Sequence, residues 1–334
     1  MSTPATSSVS LHTLRYTSLI SALFAFALVI WGGIVRINGA GMTCPDWPRC
    51  RGVWFPALND PVVYEWTHRL GAPVLTLLII ATFVAAWRAR RERPASWRAA
   101  WVAAGLLVAQ IIVGALTIEY ANNPPSVAAH LGVGIATFVS LLVVWYTAIR
   151  DPREATPQPT ASAYILSLVF GRLAVSAAIV TFAAILAAGY MSASNDGLAC
   201  TGFPLCNGWG PPVSVAQQIH MGHRVLAYLA FFLIFVVFLS GGRSRDARIR
   251  AFCWTAFGLA ILQVGLGVAT IVSDLAPALR SIHQANGALL FATLVLLSFE
   301  AYAAARAPSS LPSATSPSSN ATVAQPASSP VQRA

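Results

Sequence analysis

Glu65 and His68 lie three residues apart in Tyr64-Glu65-Trp66-Thr67-His68-Arg69-Leu70-Gly71, where a polar segment runs into an apolar one ending near Trp87. On a helix this spacing puts both side chains on one face, about one turn inside a membrane boundary. A carboxylate and an imidazole are costly at that depth, so together they mark a functional site. They are also a pair able to move protons. The chain then repeats itself: Ile219-His220-Met221-Gly222-His223-Arg224-Val225-Leu226 opens a second apolar run. Two His-Arg dipeptides, each heading such a run, predict two related sites.

The elements that position them follow from composition. Of 334 residues, 56% are hydrophobic and 10% charged, against about 25% charged in soluble domains. Apolar runs of roughly 20 residues, enough to cross a bilayer, occur near 14–36, 64–87, 98–118, 127–149, 164–190, 216–240, 251–272 and 281–303. The first has no small-residue cleavage site after it, so it reads as a retained span. The net charge of +10 does not indicate nucleic-acid binding, because its arginines gather on alternate loops. Arg88, Arg90, Arg91, Arg93 and Arg98 follow the second run, Arg150 and Arg153 the fourth, and Arg243, Arg245, Arg248 and Arg250 the sixth. The positive-inside rule then puts both termini in the cytoplasm. Cys44, Cys50, Cys200 and Cys206 would face outward, to the periplasm if the cell is a bacterium with an inner membrane.

The two halves match in detail. Cys200 and Cys206 repeat Cys44 and Cys50 at an offset of 156, and Gly208 repeats Gly52. His223 repeats His68 at 155; Gln263-x3-Gly267 and His283-x3-Gly287 repeat Gln110-x3-Gly114 and His130-x3-Gly134 at 153. Apolar helices alike by chance would not keep Cys, His and Gln in step, so the chain is a tandem repeat. Four spans per repeat make both halves enter from one side, related by an axis along the membrane normal. The expected fold class is an all-α integral membrane protein of eight helices, in two tandem four-helix bundles. The expected domains are a disordered cytoplasmic leader at 1–13, bundles at 14–150 and 164–304, a cytoplasmic linker at 151–163, and a disordered tail at 305–334 rich in Ser, Pro, Ala and Thr.

Four histidines hold repeat-equivalent places, His68 and His130, then His223 and His283, each at the outer end of an even-numbered span. Any one of them alone could be a core histidine satisfied by a carbonyl. Four in register point to imidazoles facing one another across each bundle axis, the ligand set of a six-coordinate heme iron. Zinc or copper sites recruit three or four protein ligands, which these pairs do not offer. Arg69 and Arg224 follow a ligand histidine in each half and are candidates to hold heme propionates in bidentate fashion; interfacial snorkelling is the alternative. The halves differ where His220 takes the place of Glu65, which nominates the first half as catalytic and the second as the cofactor half. Four outer cysteines allow three pairings. Closeness in sequence favours Cys44–Cys50 and Cys200–Cys206 in an oxidising compartment, as clamps over the helix ends or as a redox couple. Gln110 and Gln263 read as bundle ties.

Taken together, Gly33-Ile34-Val35-Arg36, Cys44-Pro45-Asp46-Trp47-Pro48-x-Cys50-x-Gly52, Glu65-x-x-His68-Arg69, His130, His220-x-x-His223-Arg224 and His283-Gln284 resemble the heme A synthase family over all eight spans. The resemblance implies oxidation of the C8 methyl of heme O to a formyl group through a hydroxylated intermediate. It implies a resident heme b on His223 and His283, substrate heme on His68 and His130, and Glu65 as the essential acid. Cys44 and Cys50 correspond to the family's outer-loop cysteine pair. Heme O synthase would supply the substrate and a terminal oxidase would take the product. A di-heme b-type cytochrome serving quinol, or a transporter, would be the competing readings.

Overall fold

The computed structural model describes residues 4–57, 59, 61–150 and 161–305. Eight α-helices account for most of them: α1 (Pro4–Ile37), α2 (Val62–Arg88), α3 (Pro94–Glu119), α4 (Pro124–Ile149), α5 (Ala161–Ala193), α6 (Val215–Gly241), α7 (Ala247–Val272) and α8 (Pro277–Ala305). Each contains a stretch long and apolar enough to cross a membrane. A 26-residue helix such as α3 is about 39 Å long, more than the roughly 30 Å of hydrocarbon it must traverse.

Several helix starts differ from expectation for one reason. Runs expected near 98, 127 and 281 begin at Pro94, Pro124 and Pro277, because proline has no amide to leave unpaired in a first turn and its φ is already helical. Hydropathy does not see that turn. Side-chain caps fix other starts: Asn123 accepts from Ser126 N, Ser214 from Gln217 N, and Asp246 from Arg248 N and Ile249 N. Helix α1 starts at Pro4, inside the 1–13 segment expected to be a disordered leader. Helix α5 takes up residues 161–163 of the expected linker. The remaining linker, 151–160, and the tail from 306 lie outside the described residues.

Helices α1–α4 close into one ring and α5–α8 into another, and the pattern of contacts repeats when the numbering shifts by four. Neighbours α1·α2, α2·α3, α3·α4 and α4·α1 have counterparts α5·α6, α6·α7, α7·α8 and α8·α5. Helices α2 and α4 therefore face each other diagonally, as do α6 and α8. The seam between the halves pairs α4 with α5 and α1 with α8, with α4 against α8 at its centre. Burial follows: 56% of the most apolar window of α4 and 50% of that of α8 are buried, against 11% and 17% for α3 and α7. The last two are the lipid-facing corners.

Apolar side chains fill both rings. Ile234, Leu294 and Leu297 centre one core and Ile135, Phe138 and Leu141 the other, which Ala288 and Ala292 of α8 join across the seam. Small residues there let helix backbones approach closely. At the end remote from the cysteine loops, Glu300 is 1% exposed. It accepts from the Tyr146 hydroxyl and pairs at 3.1 Å with Arg150. That network ties α8 to the end of α4, so the halves are locked by a buried charge with two partners.

Candidate functional site

The connections α1–α2 and α5–α6 fold into matching caps at one end of the bundles, here called the loop face. Cys44–Cys50 and Cys200–Cys206 are the disulfides, each with Cα atoms 4.5 Å apart, so the cysteines pair locally as expected. Gly52 and Gly208 take the equivalent left-handed turn, at φ 79° and 60°, a conformation cheap for glycine. In the first cap the Asp46 carboxylate accepts from the amides of Gly52 and Arg51. Those bonds, Gly52's foremost, hold its carboxyl below the usual carboxylate range.

Arg69 and Arg224 act on these caps. The Arg69 guanidinium donates to the carbonyls of Cys44, Asp46 and Arg49, and its Nε lies 2.9 Å from Glu65 Oε1. Arg224 donates to the carbonyls of Cys200, Gly202 and Pro204. Each arginine thus seats a disulfide loop on the helix below it. Arg69 and Arg224, expected to hold propionates, here hold loop carbonyls, and both also line the cavity beneath the caps. Arg224→Gln should lower stability by about 3–6 kcal/mol, given that each of its three charge-assisted bonds contributes about 1.5–3 kcal/mol and glutamine recovers one. Protease protection of the Cys200–Cys206 loop measures the effect.

Beneath the caps lies a continuous cavity of about 1070 Å³ that spans both halves and is lined by all four repeat-equivalent histidines, together with Glu65 and His220. It exceeds the range of about 300–1,000 Å³ usual for one small-molecule site. In the first half the rings of His68 and His130 face each other from α2 and α4 with centroids 6.4 Å apart. A metal–imidazole bond of about 2 Å would place two rings gripping one metal with centroids on the order of 6 Å apart. The Nδ1 atoms of His68, His130 and His283 are buried without a hydrogen-bond partner among the described residues. No group of three or more His, Cys, Asp or Glu able to hold a metal occurs among the described residues. Facing imidazole pairs with a large apolar cleft suit an iron porphyrin, which brings its own four equatorial ligands.

The second half is prepared differently. His223 Nδ1 lies 3.0 Å from the Ala184 carbonyl. A carbonyl can only accept, so Nδ1 carries the proton and Nε2 keeps its lone pair for a metal. His68, the counterpart, lacks such a bond. His220, at the position of Glu65, is 2% exposed and lies 3.3 Å from the Asp196 carbonyl through Nδ1.

Reading the sequence missed what the two glutamines touch. Gln110 Nε2 is 3.4 Å from His130 Nε2, and Gln263 Nε2 is 3.2 Å from His283 Nε2. Glycines make this possible reciprocally. A Cβ on Gly114 would come within 2.9 Å of His130 Cε1, and one on Gly134 within 3.1 Å of the Gln110 amide. Gly267 and Gly287 do the same for His283 and Gln263, at 3.3 and 3.2 Å. The motifs Q-x3-G and H-x3-G are thus two halves of one notch between adjacent helices, and their shared spacing was the available signal. Gly114→Ala should tilt the His130 ring and weaken metal binding in the first half about tenfold or more, the scale of a disturbed ligand orientation. Gly267→Ala, with 0.4 Å more room, should do far less. A titration followed by the iron–imidazole absorption of each half compares them.

Comparison with known proteins places this arrangement. Heme A synthase of Shouchella clausii is 30% identical over 266 residues, 78% of this chain and 87% of the relative. Heme A synthases of Bacillus pumilus and Alkalihalophilus pseudofirmus are each 27% identical, covering 84% of this chain and 92% and 95% of their own lengths. The profile of the cytochrome oxidase assembly proteins (COX15-CtaA) matches residues 15–63 and 60–295. These segments reach into all eight apolar spans and contain both histidine pairs, and the chain belongs to that family, the heme A synthases among its relatives.

Proposed function

We propose that this chain is a heme A synthase, an oxidoreductase that converts the C8 methyl of heme O to the formyl group of heme A. The observation that carries the reading is the His68–His130 pair, 6.4 Å apart and lining the same cavity as Glu65. Substrate heme would be held by these two imidazoles. His223 and His283 would hold a resident heme b, which supplies one-electron transfer when bound. The Ala184 carbonyl supports that division, since it fixes the tautomer of His223, as a permanent ligand needs. Oxidising a methyl carbon releases protons with the electrons, and Glu65, 5% exposed, is the base placed to accept them. Arg69 keeps it pointed through the contact at 2.9 Å.

The arginine-rich loops on the opposite end support a cytoplasmic position for both termini and an exterior one for the disulfide caps. Heme O synthase is then the source of substrate and a terminal oxidase the destination. The test is to produce the full chain in cells with and without heme O synthase and to analyse the extracted hemes. Formyl-bearing heme should appear only with the synthase. Heme O left unoxidised beside two fixed hemes would instead indicate a di-heme cytochrome.

A further inference from the structure

Besides Arg69 and Arg224, which hold the caps, the cavity is lined by two further guanidiniums, those of Arg36 at the end of α1 and Arg280 in the first turn of α8. We infer that Arg36 and Arg280 form a carboxylate-binding site on the seam between the halves, taking a porphyrin propionate; this rests on the heme reading above.

The helix register brings them together. Gln284 of α8 donates to the Val29 carbonyl of α1, and its side chain fills the space that a Cβ on Gly33 would take. The two helices run antiparallel, so the next turn toward the loop face carries Arg36 on α1, three residues beyond Gly33, and Arg280 on α8, four before Gln284. Both reach Ser192 of α5: Arg36 Nη2 donates to its carbonyl at 2.9 Å, and Arg280 Nη2 to its hydroxyl at 3.3 Å. The other partners of Arg36 are the Ala193 carbonyl and Asn195 Oδ1, while its Nε is buried with no partner. Neither guanidinium meets a carboxylate among the described residues, where the ion pairs are Arg69–Glu65 and Arg150–Glu300.

Two cations converging on one serine at a half-buried seam are unfavourable unless an anion joins them. The planar fork of guanidinium suits a carboxylate above other anions of that size. The cavity below would hold the porphyrin, whose apolar body matches its walls and whose carboxylates point to the wetter end. The site is also single. Ser192 occupies the repeat position of Arg36 at an offset of 156, and Val127 that of Arg280 at 153. Arg36 therefore sits close to the axis relating the halves, so one anion site serves a boundary that both pockets share.

The probes are protoheme and its dimethyl ester, titrated into the heme-depleted full chain in detergent and read by low-spin bis-imidazole absorption. Wild type should bind the free acid about tenfold or more tightly than the ester, the scale of one lost charge-assisted bond. Arg36→Gln and Arg280→Gln should pull that ratio toward one with ester affinity unchanged, and Arg36→Lys should retain part of it. Comparing ratios cancels detergent partition, and unchanged ester affinity shows that each variant is folded. Repeating the titrations in His223→Ala and in His68→Ala tells whether the carboxylate belongs to the first-half or the second-half heme, and either result supports the site. An acid-to-ester ratio equal to wild type in both arginine variants overturns it. Absence of low-spin absorption in wild type with either pigment overturns the heme reading itself, and the site with it.

Discussion

Glu65→Gln should lower formation of formyl-bearing heme by about 10²–10⁴-fold, the range for loss of a positioned proton acceptor, while the heme on His223 and His283 stays at wild-type occupancy. Glutamine has the same shape and keeps a carbonyl oxygen for Arg69 Nε, now 2.9 Å from Glu65 Oε1. The guanidinium can then continue to hold the Cys44, Asp46 and Arg49 carbonyls, so the cap stays in place. What glutamine cannot do is take a proton. A purely structural Glu65 predicts the opposite: little change in turnover for the amide, and loss of heme from the first half for Glu65→Ala. Measuring product yield and heme content on the same preparations separates the two. Glu65→His is a sharper version, because it converts the first half to the pattern of the second, where His220 packs against the Asp196 carbonyl. That variant should still bind heme O and release it unoxidised.

The parts of this site that the sequence made legible are those carried by residue type in register. Cysteine and histidine are rare enough in apolar helices that their recurrence gives the duplication, while the diagonal of α2 against α4, across which His68 and His130 meet, comes from the packing of the helices. Partners brought in by loops were not legible. The carbonyls that Arg69 grips come from residues 20 to 25 positions earlier, folded back by a disulfide, and no periodicity announces them. Backbone oxygens leave no mark in a sequence, so the loop carbonyls that Arg69 and Arg224 hold could not be read from it. Arg36 and Arg280 were hidden for the complementary reason: they lie 244 residues apart and meet only because α1 and α8 pack across the seam. The Gln–His notch falls between these cases. Its spacing was visible, but that each glycine serves the other helix's side chain follows only from the crossing of adjacent helices.

His68→Ala and His223→Ala should have different outcomes although the two residues are repeat counterparts. Losing His223 would remove the proposed ligand that the Ala184 carbonyl holds in one tautomer, and with it the proposed resident heme. The loss should exceed the roughly 10–100-fold typical for removing an outer-shell partner alone, so wild type should retain pigment through isolation and the purified variant should lack it. Product formation should fail as well, since under the proposed function the resident heme would supply electron transfer. His68→Ala should keep that pigment at full occupancy and still make no product, because its partner His130 is left as a lone imidazole on the facing helix. Ala184 contributes a backbone oxygen, so no substitution at that residue removes the bond to His223. The asymmetry can be probed from the other side instead, by adding imidazole to each alanine variant. A free imidazole added in place of the missing ring has two identical tautomers, so what differs is orientation: no partner for His68 Nδ1 exists among the described residues of the first half, whereas the Ala184 carbonyl remains to orient the ring in the second. Rescue should therefore be stronger for His223→Ala than for His68→Ala. Equal rescue would mean that the carbonyl does not set the difference between the resident and the transient site.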